Sequence, residues 1–201
     1  MTRAWSRVES DEYRHLPLRA HTLLVEVPLH DVWRLELPNG GADRSIEDIR
    51  AILQRLPAST GLGPAVRALF WLRKSIGVAF RWDTERFEEY SSPYLNRLTA
   101  EDRGESLAAP GTIDGPFRVL YVRDNEALSE IRNATVHAFS ALALRRTDAG
   151  HRLYWAIYVQ PVGLISHLYM AAIDPFRRLL VYPAILRHIY ESWSAAYAAE
   201  E

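Results

Sequence analysis

The chain has 201 residues, of which 48% are hydrophobic and 24% are charged, a mixture that is typical of a soluble globular domain. The formal net charge of −1 excludes the large positive excess with which proteins usually bind a nucleic acid backbone. Because the sequence contains no cysteine, disulfides, thiolate metal sites and a cysteine nucleophile are excluded as well.

The N-terminal residues 1–19 are polar, and we expect them to form a loosely held arm. The remaining residues, 20–201, contain no linker-like break and are predicted to form a single domain. Residues 1–15 lack the apolar segment of a secretory signal. Together with the absence of cysteine, this predicts a cytoplasmic protein.

The first elements of the domain are predicted from local pattern. Residues 20–29 are branched and apolar and predict a strand that ends near Pro28. Residues 30–37 predict a short amphipathic helix. Ser45 precedes an acidic first turn and an apolar face with helical spacing, so a helix is predicted over residues 46–56.

A second helix is predicted over residues 65–82, after Pro64 at a favourable helix start. It carries basic residues every seven positions, at Arg67, Lys74 and Arg81, which favour a solvated helix face. Residues 83–116 are charged and rich in glycine and proline, and they predict a long loop with a short helix.

The second half of the chain predicts an antiparallel sheet. Strands are expected over residues 117–123 and 127–133, followed by a hairpin of residues 135–147 and 151–160 that turns at Asp148-Ala149. This turn sets a register with Leu144 opposite Leu153, Leu142 opposite Trp155, Ser140 opposite Ile157, Ala143 opposite Tyr154, Ala141 opposite Ala156, Phe139 opposite Tyr158, and His137 opposite Gln160. The first three pairs form a core face, and the small and ringed residues of the others indicate that both faces are covered.

The C-terminal segment 169–183 reads YMAAIDPFRRLLVYP. Its central charges exclude a membrane span. Asp174-Pro175 predicts a helix start with an Asp cap. Pro183 removes a hydrogen bond to Leu179 and should kink or restart the helix. The following apolar stripe predicts a long amphipathic helix that packs on the sheet, through Ile185, Leu186, Ile189, Trp193, Ala196 and Tyr197.

These elements predict an α+β fold. The segments NATVHA (133–138), LYWAIYVQPVG (153–163) and YMAAIDPFRRLLVYPAILR (169–187) resemble an uncharacterised bacterial family, domain of unknown function 2867, from about Ala20 to Trp193. That resemblance implies the helix-grip superfamily called SRPBCC or START-like, which includes polyketide cyclases, aromatases and lipid carriers. Its members wrap a curved antiparallel sheet around a long C-terminal helix and leave a cavity between them. Some relatives are joined to a nucleotide-binding oxidoreductase domain, which this sequence lacks.

Candidate chemistry is assigned to a few side chains near the expected cavity. His137, Tyr169 and Arg177 are the predicted catalytic set, as a general acid or base and as donors that polarise a carbonyl. Structural roles stay open for each of them, since a strand histidine is often satisfied by its neighbours. Arg177 and the adjacent Arg178 should diverge by ~100° around the helix. One of them either pairs with Glu130 or Asp174 or holds a substrate carboxylate.

The predicted ligand-binding wall consists of apolar and aromatic side chains: Phe139, Trp155, Tyr158, Met170 and Tyr182. The histidine spacing matches no metal motif, and no metal or other cofactor is expected.

The leading functional hypothesis is that the protein binds an apolar or aromatic, polyketide-like ligand in an internal cavity. In this hypothesis it promotes a cyclisation or dehydration by shaping the substrate and transferring protons, as a lyase or isomerase without metal. The alternative is a non-catalytic carrier or interaction module that partners an oxidoreductase. A third possibility is a homodimer that buries the alanine- and tyrosine-rich face of the hairpin. Neither nucleic acid nor a membrane is expected as a partner.

Overall fold

The computed structural model describes residues 4–55, 92–132, 136–161 and 173–197. Within these ranges one antiparallel sheet of seven strands forms the centre of the fold. The strands are β1 (Trp5–Arg7), β2 (Leu29–Pro38), β3 (Ile113–Asp114), β4 (Phe117–Arg123), β5 (Glu126–Arg132), β6 (Val136–Thr147) and β7 (Gly150–Pro161). Their order across the sheet is β1-β2-β7-β6-β5-β4-β3. An antiparallel sheet with a helix at the C-terminus confirms the predicted α+β class.

The helices of the described residues lie on both sides of this sheet. They are α1 (Ser10–Arg14), α2 (Arg19–Leu23), α3 (Ile46–Gln54), α4 (Pro93–Asn96), α5 (Ala100–Gly104) and α6 (Tyr182–Tyr197). Directly before α6, residues 173–176 are α-helical and Arg177–Val181 form a π-helical segment. The predicted helix over residues 65–82, with its basic positions, lies outside the described residues.

The β6–β7 hairpin has the predicted register at every pair. Leu144 faces Leu153, and His137 faces Gln160. Gly150 closes the turn with a φ of 139°, where a Cβ atom would meet the backbone of Leu37 and Asn39. A glycine is therefore required at this position, and local turn chemistry accounts for the whole hairpin.

The apolar stripe of α6 packs on one face of the sheet. Leu186, Ile189 and Trp193 are fully buried there, together with Ile46 and Ile49 of α3. The predicted cap of α3 is confirmed, since the Ser45 side chain accepts from the Glu47 N–H and completes a capping box with Asp48. Of the kink or restart expected at Pro183, the structure shows a restart: the π-helical segment ends at Val181 and α6 begins at Tyr182, so the proline lies in the first turn of α6, where its missing N–H is tolerated.

The opposite face of the sheet is covered by the N-terminal segment and by α4. Tyr13, Leu24, Tyr94 and Tyr121 are buried in this second core. It also contains the hairpin residues Phe139, Ala141, Ala143, Tyr154, Ala156 and Tyr158. The prediction that both faces are covered is confirmed. Because this face is buried within one chain, it is not free to form the homodimer interface considered from sequence.

Three predictions for the N-terminal region are wrong. The segment expected as a loose arm contributes β1, which pairs with β2, and the fully buried Tyr13. The predicted strand at residues 20–29 overlaps α2, and the predicted helix at residues 30–37 is part of β2. In β2 the side chains of Trp33, Leu35 and Leu37 are buried, which is the alternation of a strand rather than a helical period.

Asp102 joins α2, α5 and β4. The residue is 2% exposed, and its carboxylate accepts two hydrogen bonds from Arg19 Nε, one from Arg19 Nη2 and one from Arg123. It also accepts from the Thr99 N–H at the start of α5. Burial alone would raise the pKa of Asp102, but the hydrogen bonds from Arg19 and Thr99 outweigh it and lower the pKa below its ordinary value of 3.8.

This lowered pKa predicts an acid-sensitive contribution to stability. Asp102 should stabilise the fold fully above its unfolded-state pKa of 3.8, and the contribution should disappear as the pH falls through the folded-state value. We therefore expect Asp102→Asn to lower the free energy of unfolding at neutral pH, and the deficit to shrink on acidification. Urea titrations of both proteins across this range check it. A pH-independent deficit would contradict the assignment.

Candidate functional site

The sheet separates the residues that the sequence assigns to one site. His137, Phe139 and Tyr158 lie on the face covered by α1, α2 and α4. Trp155 and Tyr182 lie on the face covered by α6, and Arg177 contacts Tyr182. The separation follows from strand geometry, because neighbouring residues of a strand point to opposite faces. Tyr169 and Met170 lie outside the described residues.

His137 is buried and is bound to a buried carboxylate. Its Nε2 lies 2.7 Å from Glu130 Oε2, which also accepts from Ser92 Oγ at 2.8 Å. The imidazole ring packs against Tyr94 and Phe139 at centroid distances of 5.4 and 4.4 Å. This environment favours the structural role that the sequence left open for His137.

Three aromatic rings form a wall between the sheet and the C-terminal helix. Trp33 of β2 pairs directly with Trp155 of β7. The Tyr182 ring stands edge-on to both, at centroid distances of 5.7 and 5.3 Å. Trp155 Nε1 donates to Ser140 Oγ, whereas the buried Trp33 Nε1 has no hydrogen-bond partner among the described residues. The wall is therefore apolar but carries one unused donor.

The positively charged side chain of Arg177 lies against this wall. Its guanidinium donates to the Tyr182 hydroxyl and lies 5.3 Å from the centre of that ring. Burial raises the pKa of Tyr182 to about 12, although Arg177 opposes the rise. Tyr182 thus stays protonated at neutral pH as a donor and acceptor beside a cation.

A buried carboxylate, Asp31, continues the site along β2. Its side chain is fully buried, with Arg7 Nε 2.6 Å from Oδ1 and Arg178 Nε 3.0 Å from Oδ2. Desolvation would lower the pKa of Arg178, but the hydrogen bond to Asp31 outweighs this effect and raises the pKa above its ordinary value. Two arginines from different elements therefore compensate the charge of Asp31.

Asp174 lies inside the helical residues 173–176 rather than at a cap, and it binds side chains instead. Arg177 Nη1 and Arg178 Nη2 lie 3.5 and 3.4 Å from its two carboxylate oxygens. The pairing of an arginine with Asp174 was predicted. The prediction that the two arginines diverge is wrong at the level of their guanidinium groups, because both long side chains reach one carboxylate.

His30 completes this polar group of side chains, whose other members are Asp31, Asp174, Arg177 and Arg178. Its Nε2 lies 2.8 Å from Asp174 Oδ2 and 3.7 Å from Asp31 Oδ2. The pairing of β2 with β7 shifts register between Leu29 and Asp31, at a β-bulge that contains His30. Bulges and π-helical segments both recur at functional sites, and here one of each meets at the same side chains.

An open pocket of about 550 Å³ lies beside this group. Described residues that line it include His30 and Asp31 of β2 and Arg7, Glu9 and Ser10 from the N-terminal segment. Sequence reasoning missed His30 and Asp31, because residues 30–37 were read as a helix. The strand alternation from Trp33 to Leu37 was the signal available, whereas the bulge has no signature in the sequence.

The described residues contain no group of three or more His, Asp or Glu side chains arranged to hold a metal ion. His30, Asp31 and Asp174 are close together, but arginines bind both carboxylates. Across the same residues, no helix is both long enough and apolar enough to cross a membrane.

The fold and this site define an α+β protein whose polar group lies where the C-terminal helix meets an antiparallel sheet. The chain belongs to the family described as protein of unknown function (DUF2867), whose family model matches residues 23–184. This confirms the family resemblance seen in the sequence. A comparison with curated proteins found no match.

Proposed function

We propose that this is a helix-grip protein of the SRPBCC type that binds a small organic molecule with an apolar or aromatic body. The strand order supports the fold assignment: the long strand β2 pairs with the last strand β7, and α6 packs on one face. The binding position is the wall of Trp33, Trp155 and Tyr182 under the C-terminal helix. Rings of this kind favour flat apolar ligands.

The observation that carries the proposal is the unpaired donor of Trp33. A buried indole N–H usually has a partner, and leaving it without one costs about 1–3 kcal/mol. Trp33 Nε1 has none among the described residues, and its ring contacts Tyr182, which is bound to Arg177. A ligand oxygen would supply the missing acceptor. The expected ligand therefore combines an apolar body with a carbonyl or an anionic oxygen.

Within this proposal, cyclisation or dehydration would follow from confining the ligand beside a group that transfers protons and a group that polarises a carbonyl. At the end of the wall, the Asp174 carboxylate offers the first and the Arg177 guanidinium offers the second. A carrier that partners an oxidoreductase would use the same wall without chemical change in the ligand. Native mass spectrometry of the ligand before and after incubation separates these two outcomes.

The binding proposal predicts an effect of Trp33→Phe on an apolar anion. Anilinonaphthalene sulfonate combines fused rings with oxygen acceptors, and the natively folded protein should bind it with saturation. Removing the indole donor while keeping a ring should weaken binding by about 10-fold. Fluorescence titration measures the affinity.

Trp5→Phe is the matched control. It removes another buried indole donor that has no partner among the described residues, on the edge strand β1. We expect this variant to bind the dye like the wild type. The proposal fails if the folded wild type does not bind the dye, or if Trp33→Phe binds it with unchanged affinity.

A further inference from the structure

The geometry points to a proton-transfer site at His30, with Asp174 as its positioning residue. This inference goes beyond the proposed binding role, because the pocket beside His30 is lined by residues other than the aromatic wall. The substrate class is a small carbonyl compound with an acidic C–H bond.

The tautomer follows from the contact with Asp174. Asp174 Oδ2 lies 2.8 Å from His30 Nε2, and a proton on that nitrogen avoids the repulsion between two acceptors, so we assign the neutral ring to the tautomer protonated at Nε2. Arg178 Nη2 lies 3.5 Å from the same nitrogen, at the outer limit of a hydrogen bond, so the closer carboxylate of Asp174 decides this assignment. In the neutral ring the lone pair therefore resides on Nδ1, and no described residue forms a hydrogen bond with that atom. In this tautomer Nδ1 is the ring nitrogen whose lone pair can accept a proton.

The surroundings hold this histidine in place. Asp174 itself contacts Arg177 and Arg178, and Asp31 is fixed between Arg7 and Arg178. A carboxylate behind an imidazole is the arrangement that orients a catalytic histidine in other sites.

The pocket offers space for a substrate. Its volume of about 550 Å³ suits a small organic molecule, and the His30 side chain remains 24% exposed. Arg7 lines the same pocket and is half exposed. Its guanidinium, which also pairs with Asp31, brings a positive charge to the pocket that would stabilise a developing enolate oxygen.

The step itself balances without any co-reactant. Nδ1 accepts the proton of a C–H bond next to a carbonyl group, and the bonding electron pair moves into an enolate. The imidazolium then returns that proton to the enolate oxygen or to another carbon of the same molecule. The net reaction is an isomerisation, with nothing oxidised or reduced.

Nitrobenzisoxazole tests the assignment, because a base that removes its C–H proton breaks the N–O bond and releases a coloured phenolate. We expect saturable turnover by the full-length protein, faster than by free imidazole at equal concentration. His30→Gln should lower kcat by about 100-fold with little change in KM, and Asp174→Asn by about 10-fold. His15→Gln is the control, since His15 is an exposed histidine of the same chain.

A structural role for His30 would not produce chemical rescue. We expect added imidazole to restore turnover in His30→Ala, with unchanged circular dichroism. The assignment is overturned if the wild type does not exceed free imidazole, if His30→Gln turns over like the wild type, or if imidazole fails to rescue. Dye binding measured on the same variants keeps the two proposals apart. His30-dependent turnover without dye binding would remove only the binding proposal.

Discussion

Replacing Glu130 by alanine is expected to lower the free energy of unfolding by about 3–5 kcal/mol. The carboxylate is completely buried and accepts hydrogen bonds from Ser92 Oγ and His137 Nε2, with Arg118 3.7 Å away. Removing it takes a carboxylate away from the buried guanidinium of Arg118 and an acceptor away from Ser92 Oγ and His137 Nε2. Removing one partner of a buried ion pair lowers the free energy of unfolding strongly, because the other partner stays buried. Replacing both partners by apolar residues of similar volume costs much less.

The comparison that tests this explanation is Glu36→Ala. Glu36 is also a strand glutamate paired with an arginine, Arg152, at 2.7 Å, but its side chain is 45% exposed. Its loss should cost less than about 1 kcal/mol. Urea unfolding of both variants gives the two values. Similar losses for Glu130 and Glu36 would contradict a buried network, and with it the structural role of His137.

The sequence predicted correctly those elements that depend on neighbouring residues, such as turns and helix caps. The β6–β7 register followed from one glycine turn and the alternation of two strands, and the start of α3 followed from Ser45. In contrast, α2 was missed because its cap comes from far along the chain. The Glu126 carboxylate accepts from the N–H groups of Arg19 and Ala20. No window around residue 20 contains that partner.

The candidate site was missed for the same physical reason. Asp174 next to Pro175 has the local pattern of a helix cap, yet its carboxylate binds His30 and two arginines. His30 reaches it through a β-bulge, which depends on the pairing of β2 with β7. Such a cluster of side chains forms only when distant segments pack together. A single sequence therefore shows which residue types are present, but not that they contact one another. The assignment of catalysis to His137 stays a prediction.

Trp193→Ala is expected to lower the free energy of unfolding by about 3–5 kcal/mol. The ring is fully buried in the core under α6 and stands edge-on to His151 and Tyr197, at 5.5 and 4.7 Å. Its Nε1 donates to the Pro38 carbonyl at 2.9 Å, which ties α6 to the end of β2. A small domain has a total stability of about 5–15 kcal/mol, so this variant should be close to unfolding at moderate temperature.

Trp193→Phe separates packing from the hydrogen bond. It keeps most of the ring but leaves the Pro38 carbonyl without its donor, and the expected loss is about 1–3 kcal/mol. Glu191→Ala, at an exposed position of the same helix, should change stability by less than about 0.5 kcal/mol. Denaturant unfolding of the three variants orders them. If Trp193→Ala were no more destabilising than Glu191→Ala, Trp193 would not anchor α6 to the sheet. Other contacts would then have to hold α6 over the aromatic wall.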